Sequence, residues 1–226
     1  MNKRVWIILY FVVLGADLFA VYNGNETLRY ITKPLLMPLL IVLFILQSKN
    51  FASSLKKWVV LALVFSWAGD VLLMFESTNG NFFIFGLVTF LIAHIFYILF
   101  YENVIRKEGL RKNYWWFLPV SIYYIALIYI LSPNLGDMKL SVRIYGIVIS
   151  YMLIQALQTG RIKDLGAATL MIAGAVLFIT SDSILAINKF SQPFENAGIA
   201  IMLTYGIAQL LITLGAVRYI TSTSKQ

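Results

Sequence analysis

Cysteine is absent from this 226-residue chain, and histidine occurs once, at His94. The first absence removes disulfides, a thiol nucleophile and cysteine-ligated metal, and leaves the redox compartment unmarked. The second excludes a three-histidine or His-Glu-x-x-His zinc centre, so that only an all-carboxylate site for a hard cation remains open to a metal. Acid chemistry without metal or organic cofactor is the simpler expectation. Charge is scarce too: Asp, Glu, Lys and Arg make up 12% of the residues, about half the share typical of a soluble domain.

Apolar residues fill the gap, at 60% of the chain and a mean hydropathy of +0.82. The expected fold is therefore all-α, an integral multi-pass membrane protein. Apolar runs lie at about 5–22, 34–46, 58–75, 82–101, 114–131, 143–157, 166–187 and 197–217. Most approach the ~20 residues needed to cross a hydrocarbon core, the second and sixth only with their flanks. Eight spanning helices follow, in one transmembrane domain over 1–226. Pro119 is tolerable inside a membrane helix, whereas Ser132-Pro133-Asn134 and Gly136-Asp137 read as a turn.

The net charge of +8 has no basic stripe interleaved with aromatics, so nucleic acid is not the expected partner. Its distribution speaks of topology instead. Thirteen of the 18 Lys and Arg residues fall on one side of the alternating spans, leaving Arg29, Lys33, Lys139, Arg143 and Lys189 on the other. By the positive-inside rule both termini are cytoplasmic, with anionic lipid headgroups as contacts of the excess charge. Lys3-Arg4 precede the first span without a small-x-small cleavage site, which reads as a retained signal anchor. In a bacterium the host membrane would be the cell membrane. The sequence leaves the oligomeric state open.

Asp70 and Asp182 lie inside the third and seventh runs. A carboxylate there costs at least ~2.5–3.5 kcal/mol, so it persists where it faces a polar cavity or does chemistry. A shift of 112 residues superposes Asp70 on Asp182, Leu73 on Leu185, Phe82 on Phe194, Gly86 on Gly198 and Leu91 on Leu203; a shift of 110 sets Lys33 against Arg143. The pairs point to a 4+4 duplication with halves 1–113 and 114–226. Four helices is an even number, so such halves run parallel, about an axis along the membrane normal. The two acids would then face each other, with Lys33 and Arg143 above them and Asp17 of the first span in their layer. An acid floor beneath a cationic mouth suits an amphiphile with an anionic headgroup.

Each residue also has a plainer use. Asp70 could bond Ser66 one turn earlier, Asp182 has Ser181 and Ser183 beside it, and Asp17 could simply pair with Lys33. Lys33 and Arg143, at the starts of their runs, could snorkel to water. His94 lies deeper than the acids, which allows either direct catalysis or a relay role behind them. Tyr205 and Gln209, on successive turns of the eighth span, are expected as polar lining of the same cavity. Gly69, Gly86, Gly174 and Gly198 fit close helix approach. Tyr114, Trp115 and Trp116 fit interfacial anchoring.

Several segments share a pattern: Thr32-Lys33-Pro34-Leu35-Leu36-Met37-Pro38, Gly69-Asp70-Val71-Leu72-Leu73-Met74, Gly86 through Ala93-His94 to Tyr97, Phe178 through Ser181-Asp182 to Leu185-Ala186, and Tyr205 through Ala208-Gln209. In order and spacing they resemble the YhhN family of eight-span membrane proteins, whose characterised animal members are lysoplasmalogenases. The resemblance implies hydrolysis of the vinyl-ether bond of a lysophospholipid, releasing a fatty aldehyde and a glycerophospho-base. That reaction needs one protonated acid and one anion, roles Asp70 and Asp182 can share in either order, with Lys33 and Arg143 on the phosphate. A lipid or solute carrier, or a lipid-binding protein with an intramembrane acidic site, is the alternative.

Overall fold

The computed structural model describes residues 3–223. Lys225, one of the thirteen basic residues counted above, lies outside them. The helices are α1 (Lys3–Tyr22), α2 (Glu26–Ser48), α3 (Lys56–Met74), α4 (Asn81–Lys107), α5 (Phe117–Leu131), α6 (Lys139–Gln158), α7 (Leu165–Phe190) and α8 (Ala197–Thr223). Each is long and apolar enough to cross a membrane, α5 when joined to the short turns on either side of it. The Ser132–Asn134 and Gly136–Met138 segments form two 3-10 turns, where the sequence predicts a break.

Helix starts follow local chemistry. The side chains of Asn25 and Asp164 accept the Leu28 and Ala167 amides at 3.0 and 3.1 Å, capping α2 and α7. Gly24, at φ +62°, lets α1 turn into α2 within three residues. Because α2 begins at Glu26 rather than near 34, Lys33 sits two turns inside it and is 6% exposed, not at a helix mouth from which it could snorkel.

Pro34 and Pro38 stand within α2 without ending it. Pro38 has no N–H to give the Pro34 carbonyl, and the indole N–H of Trp67 on α3 supplies that bond at 3.0 Å. Trp67→Phe is expected to lower stability by about 1–3 kcal/mol, the cost of an unmade bond to a carbonyl away from water. Thermal unfolding in lipid nanodiscs checks this. Adding Pro38→Ala should recover most of the loss, since it restores the missing donor.

Packing is closest within the pairs α3–α4 and α7–α8. A Cβ on Gly69 would meet the Phe90 ring at 2.6 Å, and one on Gly86 would meet Leu73 at 2.7 Å. Helix α5 is peripheral, with only Val120 and Leu131 buried. The main apolar core draws on all eight helices, α5 through Val120, around Tyr10, Leu36, Phe44, Leu63, Phe100, Met152 and Phe178.

Candidate functional site

A cavity of about 230 Å³ opens among α2, α3, α4, α6, α7 and α8, toward the end of the bundle where α2, α4 and α8 begin. Asp70 and Asp182 both line it. Asp70, from the last turn of α3, is 2% exposed; Tyr205 of α8 donates its hydroxyl to Asp70 Oδ2 at 2.7 Å, and Lys33 Nζ of α2 lies 3.8 Å from Oδ1. Tyr145 of α6 donates its hydroxyl to Asp182 Oδ2, and His94 Nε2 of α4 lies 3.9 Å from the same oxygen. Asp182 is the more open of the two, its side chain 14% exposed against 3% for Asp70.

The surrounding wall is apolar, from Leu73, Phe83, Leu87 and Phe90 on one side to Val142, Leu185, Phe190 and Met202 on the other. Arg29 and Glu76 stand among its polar members. Lys189 near the end of α7 pairs with Glu76 just past α3 and lies 5.0 Å above the Phe83 ring, so one ion pair ties two helix ends together at the mouth.

Lys33, Tyr205 and the two acids therefore converge as expected. Arg143 does not: α6 begins at Lys139, which turns Arg143 to the exposed surface, and the second cation on the cavity is Arg29. Asp17 is also displaced from the site. It is fully buried against α2, accepting the Thr32 hydroxyl at 2.7 Å, while Lys33 is committed to Asp70. Gln209 lies behind the lining, where its amide donates to Ser66 Oγ at 2.9 Å and its carbonyl accepts the Tyr97 hydroxyl. Ser66 is thus taken by Gln209, and Asp70 has Tyr205 instead. His94 is fully buried behind Asp182, edge-on to the rings of Phe178 and Tyr145 at 4.8 and 5.3 Å, and does not reach the cavity wall.

Sequence reasoning passed over Tyr145, Arg29 and Glu76. Tyr145 alone had a signal: the 112-residue offset that pairs the two acids also pairs Lys33 with Tyr145. Each acid has one partner from the helix before its own, Lys33 from α2 and Tyr145 from α6. Each has a second neighbour from a helix farther off in the chain, Tyr205 from α8 for Asp70 and His94 from α4 for Asp182. Among the described residues no group of three or more His, Asp and Glu gathers as metal ligands.

Eight apolar helices around a cavity lined by a buried carboxyl, Asp70, and a half-buried one, Asp182, define an integral multi-pass membrane protein. The YhhN family profile matches residues 28–216, and the chain belongs to that family. Among curated proteins it is 36% identical to lysoplasmalogenase TMEM86B of Homo sapiens over 157 residues, 70% of this chain and 62% of that protein. It is 32% identical to lysoplasmalogenase TMEM86A of Bos taurus over 167 residues, 70% of this chain and 65% of that one. With the lysoplasmalogenase of Mycobacterium tuberculosis it shares 30% identity over 163 residues, 71% of this chain and 60% of that protein. The chain thus spans about three fifths of the length of the relatives it matches. No solved structure gives a significant match.

Proposed function

We propose that this protein is a membrane-embedded hydrolase that cleaves the vinyl-ether bond of lysoplasmalogens, with Asp70 and Asp182 as its acid–base pair. The observation that carries the reading is that both carboxyls line one cavity, each with its own hydrogen-bond donor. The names of the relatives supply the reaction class.

The surroundings of the two acids divide the work. Asp70, ion-paired with Lys33, serves as the anion; Asp182, with a phenol and an imidazole but no ammonium beside it, serves as the proton donor. Asp182 gives its proton to the β-carbon of the vinyl ether, and the former double bond becomes an oxocarbenium ion. Water adds to the oxygen-bearing carbon while Asp70 takes its proton, giving a hemiacetal. Asp182 then removes the hemiacetal hydroxyl proton as the carbon–oxygen bond to glycerol breaks, and Asp70 returns its proton to the glycerol oxygen. Aldehyde and glycerophospho-base leave, and both carboxyls regain their starting states. The same division operates in glycosidases, which also pass through an oxocarbenium-like centre. Lys33 and Arg29 are placed to hold the phosphate. Tyr205 and Tyr145 orient the carboxyls, and His94 and Gln209 support them from behind.

The same reading takes the two halves as products of a duplication in which one acid kept a cation partner and the other a phenol. Beneath the cavity His94, Tyr97, Phe178 and Gln209 are fully buried. A carrier in one of its alternating states is packed there too, so the preference for an enzyme over a carrier rests on the names of the relatives.

The test is mass spectrometry of the purified protein incubated separately with a 1-alkenyl lysophospholipid and its ester analogue. Free aldehyde from the first and no fatty acid from the second is the expected result. Lipid carried across a vesicle membrane with no new product would establish the carrier instead.

A further inference from the structure

Asp182 and Tyr145 belong to the linings of two adjoining hollows. One is the cavity already described. The other is a narrow cleft between α5, α6 and α7, and Val142, Tyr145, Asp182 and Ala186 line both. The cleft has no charged lining residue apart from Asp182; Leu127, Ile128, Leu131, Ile149 and Ile179 line it beside the hydroxyls of Tyr123 and Ser183, which bond to each other. Its floor is set by Gly146, where a Cβ would stand 2.9 Å from the Tyr124 ring, so the absent side chain is what lets α5 approach α6. The flanking helix is the least buried of the eight, with Ile122, Ile125 and Tyr129 of α5 all at least 60% exposed.

Resting on the hydrolase reading, we propose that this α5–α6–α7 cleft is the binding site for the alkenyl chain of the lysolipid. The vinyl ether then lies at Asp182, where the two hollows meet, the phosphate points toward Lys33 and Arg29, and the hydrocarbon chain leaves between α5 and α6. An amphiphile needs such a division, with charge confined to one side of the reacting bond and an apolar path on the other. The direction fits a lipid. From Leu131 and Val142 near the loop end of the bundle, the cleft descends toward Ile149 and Ile179 in mid-helix, as a chain descends from its headgroup toward the bilayer centre. The enclosed volume is about 30 Å³, which grips only the carbons nearest the double bond. The remainder of the chain lies along α5 in contact with lipid, so substrate enters sideways from the bilayer.

The experiment uses the full chain in nanodiscs with an alkyl-ether lysophospholipid, which lacks the vinyl group, carrying a diazirine at the third or fourth chain carbon. Photolabelling is expected on Tyr124, Leu127, Ile128 or Ile149, and an excess of lysoplasmalogen should abolish it. Competed labelling on α1, α2 or α4 instead, or none at all, overturns the assignment of the cleft. Aldehyde release measured on the same sample separates this outcome from failure of the hydrolase reading, which would show as no product. A second measurement blocks the cleft. Ile128→Trp should lower kcat/KM for eight- and sixteen-carbon alkenyl substrates alike by about tenfold, chiefly through KM, and wild-type kinetics in this variant would count equally against the cleft.

Discussion

Asp182→Asn is expected to reduce aldehyde release from a lysoplasmalogen by about 10²–10⁴-fold, the usual contribution of a positioned general acid, while leaving the protein folded. Asparagine has nearly the shape of aspartate, and its carbonyl oxygen can still accept the Tyr145 hydroxyl. What it cannot supply is the proton that the proposed mechanism delivers to the β-carbon. Asp70→Asn should lose activity to a similar degree and stability as well. Lys33 is 6% exposed and Asp70 is its ion-pair partner, so the substitution leaves an ammonium buried without a counter-charge. Breaking a buried pair from one side costs about 3–5 kcal/mol. Combining Asp70→Asn with Lys33→Met removes the stranded charge and should restore much of the melting temperature but none of the activity. Wild-type rates in either single Asn variant, measured on protein shown to be folded, would remove the carboxyl pair from the chemistry.

The sequence marked the two acids because a carboxyl in an apolar span is costly enough to need a reason, and it marked the spans through their length and composition. The rotation of each helix was much less legible. When one face meets lipid and the other meets protein, both are apolar, and periodicity no longer tells which points inward. Arg29 and Arg143 illustrate the difficulty. Both lie near helix starts on the same side of the charge count, yet Arg29 reaches the cavity and Arg143 is exposed. The sequence predicts Asp17 in the layer of the two acids, but α1 contributes nothing to the lining, and its acid is held by Thr32 of α2. Tyr145 stands 112 residues from Lys33, the offset that also separates the two acids, but a phenol and an ammonium have no common charge by which the sequence could show the match. Tyr97 and Gln209, which bond to each other, stand 112 residues apart as well.

Gly174→Leu is expected to cost most of the folded protein, because the α7–α8 contact is made by backbone. A Cβ on Gly174 would stand 2.8 Å from the Ala208 carbonyl oxygen and 2.9 Å from the Ile212 nitrogen, atoms that cannot rotate aside. The closeness is mutual: a Cβ on Gly215 of α8 would lie 3.0 Å from the Met171 nitrogen and 3.1 Å from the Ala167 oxygen of α7. Helices in a bilayer gain nothing from hiding apolar surface from water, so such approach, with the packing it permits, is a main source of their attraction. Even Gly174→Ala must move one helix, at a cost of about 1–3 kcal/mol. The separation also reaches the site. Asp182 lies eight residues along α7 from Gly174, about 12 Å by helix rise. Spreading the pair would shift Asp182 against Tyr205 and Asp70, so Gly174→Ala should lower kcat as well as the melting temperature. Gly15→Ala is the matched control, since nothing lies within 4 Å of its added methyl and a helix interior prefers alanine. Size-exclusion profiles and thermal unfolding of the three variants decide the matter: a monodisperse Gly174→Leu protein melting with the wild type would mean that α7 and α8 do not meet at these glycines.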